Sequence, residues 1–124
     1  MTKHILLGAA LASVVASSAC KSGPDPAVRT AIGDKLNSAQ PGIQACYQKS
    51  LTTNRKLAGM VVAQMAVLDT GQFTEISFRR DPMNDPVLRF CVIQQLAKLK
   101  LDKPPGQRIQ LDSVPIDFKW SNPE

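Results

Sequence analysis

Three cysteines, one histidine and ten carboxylates are the side chains here whose chemistry could define a function. His4 is the only imidazole, and it falls within residues 1–19, which read as an export signal. Once that segment is removed, nothing remains for a catalytic triad, a proton shuttle or a histidine-bound metal. Cys46 and Cys91 lack the close spacing of zinc ligands, so no metal site is expected. Asp25, Asp69 and Asp85 stand where helix caps and turns want an acid. Glu75 and Asp117 would face each other across strands at best, with nothing to mark them as a hydrolytic pair. Gly-rich phosphate loops are absent. The residues therefore point away from an enzyme and away from a cofactor, and leave the cysteines as the chemistry to explain.

An odd number of cysteines in an exported chain calls for an explanation. Lys3 and the amino terminus give a positive start, and Ile5 to Ala16 form an apolar run too short for a membrane span. Ser17-Ser18-Ala19 then precedes Cys20. Small residues ending in Ala-Cys are similar to a bacterial lipobox, in which Cys20 becomes the acylated first residue and anchors the chain to a membrane. The same residues would also satisfy ordinary signal peptidase, leaving a free thiol. With Cys20 acylated, Cys46 and Cys91 remain as an even pair in an oxidising compartment. They are either bridged or two separate buried thiols. A bridge would close a loop of about 46 residues, worth about 4 kcal/mol on the chain-entropy model, and needs Cα atoms within about 7 Å.

The chain has 124 residues and a net charge of +5, one unit less when Lys3 leaves with the signal. That length suits one domain with a modest core. Its basic residues stay dispersed: Arg55-Lys56 and Arg79-Arg80 stand apart, and Lys98, Lys100 and Lys103 trail from a helix end. Nucleic acid wants a concentrated stripe with stacking aromatics, so this pattern suits a solvated face or anionic lipid better.

The elements that position these residues centre on a hairpin. Met60 to Leu68 is a strand of high β-propensity, Asp69-Thr70-Gly71 a tight loop, and Phe73 to Phe78 a half-polar partner strand. Phe73 and the Ile76/Phe78 pair differ in parity, which predicts a bulge near Thr74-Glu75. Before the hairpin, residues 21–26 form a tether of at most about 20 Å. Asp25-Pro26 then opens a helix through Val28, Ile32 and Leu36. Asn37 to Gly42, containing Pro41, is expected to kink or break it, and a second helical stretch carries Ile43, Cys46, Tyr47 and Leu51. After the hairpin, Asn84 or Asp85 caps a helix with Leu88, Cys91, Val92, Leu96 and Leu99 on one face. Phe90 and Ala97 lie nearly opposite, with Ile93 between. That helix is either buried on two sides or carries a contact patch on its back. The closing strand runs from Ile109 to Trp120, with a parity change around Asp112 to Pro115 that suggests a bulge or an edge. The expected fold is α+β: a small three-stranded antiparallel sheet with two helices packed on one face.

Ile43-x-x-Cys46-Tyr47, Leu51, and Leu57-Ala58-Gly59-Met60-Val61, followed by Asp69-x-Gly71, Cys91-Val92 and Pro115-Ile116-Asp117-Phe118, resemble the AgmX/PglI C-terminal domain. That family is a TonB-like module of myxobacterial envelope proteins, and the resemblance covers about residues 28–120. It implies a TonB C-terminal-like domain over residues 27–124, a paired Cys46–Cys91, envelope location, binding rather than catalysis, and a link to gliding motility or transport in some members. Two modes of binding an envelope protein follow. A partner strand adds at an exposed sheet edge, either that of a hairpin arm or that of the closing strand, where Arg108, Ile109, Gln110 and Leu111 form the half without proline. Alternatively, the chain is a structural accessory that docks rigidly through the Phe90 surface. The plainer alternative is that the closing edge is simply solvated, or capped by Ser121 to Glu124.

Overall fold

A computed structural model describes residues 24–119. The expected signal segment 1–19, Cys20 with most of its tether, and Trp120 to Glu124 lie outside the described residues. Within them the order is α1 (Pro26–Leu51), β1 (Gly59–Val67), β2 (Phe73–Arg80), α2 (Pro86–Ala97) and β3 (Ile109–Phe118). The three strands form one antiparallel sheet in the order β2-β1-β3. This is the α+β architecture that the hydrophobic patterning predicts, with β1 central and β2 and β3 at the edges.

Local chemistry explains where the elements start. Asp25 accepts a hydrogen bond from the Ala27 N–H, and Asp85 accepts one from Leu88 N–H, each just ahead of a proline in the first turn. These caps satisfy backbone donors that the helix cannot pair internally. Gly71 takes φ of 94° in the hairpin loop, where its carbonyl accepts from the Leu101 N–H at 3.0 Å. A Cβ there would meet Leu101 at 3.1 Å, so the conformation calls for glycine and the space beside it is tight.

Of the kink or break expected between Asn37 and Gly42, the break does not occur: α1 runs through Pro41 as a single helix of 26 residues. Ile32, Leu36, Ala39, Ile43, Cys46 and Tyr47 explain this, because their spacing of three or four makes one continuous apolar stripe across the proline. All six pack into the core, and Pro41 itself stands exposed on the opposite side. Burial along the stripe outweighs the one backbone hydrogen bond that Pro41 cannot make.

The parity changes appear as bulges. Between Ala66↔Thr74 and Gln64↔Ser77, β2 advances three residues while β1 advances two, and Glu75 there has φ of 52°. A similar step separates Met65↔Leu111 from Ala63↔Val114, with Asp112 and Ser113 as the extra length in β3. These bulges return Phe78, Leu111 and Ile109 to the core side. Val61, Ala63, Met65 and Val67 are fully buried there beneath both helices. Tyr47 joins the helices to the sheet: its ring lies 5.1 Å from Phe118, and its hydroxyl donates to the Leu57 carbonyl just before β1.

Candidate functional site

Cys46 on α1 and Cys91 on α2 form a disulfide, with Cα atoms 5.8 Å apart. Cys46 is buried and Cys91 half-buried, so the bridge lies at the edge of the core, where the two helices meet. Of the two states left open by the cysteine count, the bridged one is found.

The predicted edge residues are placed together. In β3, Ile109 is buried, Leu111 half-buried and Gln110 exposed, the alternation of a strand with one face inward. Arg108 precedes this stretch, and its guanidinium pairs with Glu75 across the sheet. Sequence reasoning missed the second wall of this edge. The N-terminal half of α1 runs beside β3 and leaves two successive hollows between helix and strand. The first, about 310 Å³, lies among Pro24, Arg29, Ile32 and Ile109 to Leu111. The second, about 250 Å³, is bounded by Leu36, Asn37 and Gln40 on α1, Leu96 beneath, and Val114 and Pro115 on β3. No periodicity in α1 announces this, because Ile32 and Leu36 belong equally to an ordinary core stripe.

Phe90 is placed apart from that edge. On α2 it is 63% exposed, next to Val87 at 66%, while Ile93 is half-buried and Ala97 exposed. The back of α2 is thus uncovered rather than buried on a second side. Leu99, expected on the inner helical face, lies past the end of α2, and its carbonyl accepts from the Phe73 N–H at 3.2 Å. Gln72 finishes the same helix by donating from Nε2 to the Ala97 carbonyl at 2.8 Å.

A few charged groups tie elements together. Asp81 holds Arg89 through two hydrogen bonds of 2.9 and 3.0 Å and also accepts from the Asn84 N–H, fixing the link from β2 to α2. Lys35 pairs with Asp102 and Lys119 with Asp117. Among the described residues, no three His, Cys, Asp or Glu side chains cluster as a metal site would require, and no helix is long and apolar enough to cross a membrane.

The geometry defines a small disulfide-tied α+β domain in which, among the described residues, the outer edge of β3 is unpaired and lined by a helix. No family model, curated protein or solved structure matches the chain.

Proposed function

We propose that this chain is a non-catalytic, TonB-like protein-binding module of the cell envelope, which takes an extended segment of an envelope protein against the outer edge of β3. The observation that carries the reading is the groove between β3 and α1, which pairs a strand edge with apolar hollows. A strand edge supplies main-chain donors and acceptors for affinity, and hollows at alternate positions supply selectivity. Pro115 lacks a donor, which leaves Arg108 to Leu111 as the more competent half. The ordered Cys-Tyr, Gly, Cys and Pro-x-x-Phe landmarks support the TonB-like reading, and the signal-like residues 1–19 with Cys20 support export and a lipid anchor. A tether ending at Pro26 keeps such a domain within reach of its own membrane.

Capture of envelope partners by the full chain after crosslinking tests the proposal. Gln110→Pro removes a backbone donor but leaves the Ile109 and Leu111 side chains in place, and Arg29→Glu changes the helix wall of the groove. Capture is expected to fall for both while the thermal melt is retained. Undiminished capture by both folded variants would overturn the groove reading. It would favour the second reading, docking through α2, which the exposed Val87 and Phe90 motivate. In that case Phe90→Ser, and not Gln110→Pro, would abolish capture.

A further inference from the structure

We propose that the uncovered face of the sheet, at the end bearing Met60 and Arg80, docks onto an anionic phospholipid surface. Both helices pack on the other face, so the outward side chains of β1 are open here. Met60 is 50% exposed although it lies on the central strand, and Val62 beside it is half-buried. Two adjoining hollows share Val62 and Arg80. One, about 260 Å³, is completed by Met60 and Pro82; the other, about 360 Å³, by Arg79 and Ser113. An apolar floor and a pair of guanidiniums thus meet on one shallow surface.

The pairing of free cations with apolar side chains distinguishes this end of the sheet. Arg79 and Arg80 are exposed and make no ion pair among the described residues, and the same holds for Arg55 and Lys56 on the loop entering β1. Elsewhere Lys35, Arg89, Arg108 and Lys119 each hold a carboxylate. Arg29, Lys49, Lys98, Lys100 and Lys103 are also exposed without an ion pair among the described residues, but they line neither of these two hollows. Asp81 and Asp117, which flank the face, are paired with Arg89 and Lys119, and Asp112, exposed at its rim beside Ser113, makes no ion pair among the described residues. Guanidiniums bind phosphate oxygens bidentately, while Met60, Val62 and Pro82 between them suit the boundary of headgroup and acyl chain. Single-stranded nucleic acid would want aromatic platforms; among the described residues Tyr47, Phe73 and Phe118 are buried, Phe78 packs against the core and Phe90 lies on α2. The inference stands apart from strand addition at β3 and from any acyl chain at Cys20.

The test is flotation of the full chain with phosphatidylcholine vesicles, with and without equimolar phosphatidylglycerol. The gain in binding due to phosphatidylglycerol is the readout, since the N-terminus is common to every variant. The wild type is expected to show a gain that fades with added salt. Joint Arg79→Gln and Arg80→Gln substitution should reduce that affinity by about 25-fold, from roughly fivefold per cation near the surface. Met60→Ser should reduce it several-fold. Lys98→Gln with Lys100→Gln removes the same charge at the opposite end of the sheet and should cost far less. Thermal melts of these surface variants should match the wild type. Equal losses from the two double variants, no dependence on phosphatidylglycerol, or tighter capture by polyglutamate or single-stranded DNA would each overturn the proposal.

Discussion

Tyr47 concentrates several demands in one side chain. Its ring is 1% exposed and packs on Phe118, and its hydroxyl donates to the Leu57 carbonyl. Tyr47→Phe keeps the ring but deprives that carbonyl of its donor, so a cost of about 1–2 kcal/mol is expected, read as a lower urea midpoint at unchanged m. Burial also pushes the Tyr47 hydroxyl's pKa upward. The folded state therefore holds the neutral phenol more firmly than the unfolded chain, whose tyrosine ionises near about pH 10. Its contribution is complete below that pH and is lost as pH rises through the higher folded value. Alkaline denaturation curves should show this limb in the wild type and not in Tyr47→Phe, so that the two converge at high pH. The importance of Tyr47 was legible as a neighbour of Cys46 on an apolar face. Its carbonyl partner was not, because ten residues and a loop separate the two in the chain.

At the scale of elements, α1 is the informative case. A proline within a helix costs about 3 kcal/mol relative to alanine, and α1 bears that cost at Pro41 because its apolar stripe continues on both sides. Pro41→Ala should restore a donor toward the Asn37 carbonyl, while the looser unfolded chain takes back part of the gain. A net stabilisation of about 1–2 kcal/mol is expected, seen as a raised melting temperature. A lowered one would mean that the proline shapes α1 for its fit beside β3. The strands behaved differently. Their parity changes at Thr74-Glu75 and Asp112-Ser113 marked the bulges directly, since a period of two leaves no other way to keep Phe78 and Leu111 on the core side.

For the whole molecule, the Cys46–Cys91 bridge joins the helix before the hairpin to the helix after it, across a sequence separation of 45. The chain between them contains β1 and β2, so the bridge closes a loop around the central hairpin. Reduction, or joint Cys46→Ser and Cys91→Ser substitution, is expected to lower stability by about 4 kcal/mol on the chain-entropy model. Chemical denaturation with and without reductant measures this, and the double variant should show no further response to reductant. Core packing of Ile43, Val92 and Leu96 against the buried strand face does not depend on the bridge, so a weakened native fold is expected under reduction.

Residue order by itself determined the kinds of element and their faces. Apolar periods of 3.6 and 2, the Asp-Pro starts at Asp25 and Asp85, and Gly71 in the hairpin are local signals, and each acts within a few residues of itself. Tertiary structure decided what depends on distant chain segments meeting. Pro41 lies inside a helix because α2 and the sheet bury the stripe on either side of it. β3 became an edge with a helical wall because it pairs with β1 and not β2, which sets Arg29 and Ile32 opposite Ile109 to Leu111. Met60 and Val62 share an uncovered surface with Arg79, Arg80 and Ser113 only after three strands align and both helices take the other face. Such neighbourhoods are set by burying the larger apolar area of the chain as a whole, and no local pattern encodes them.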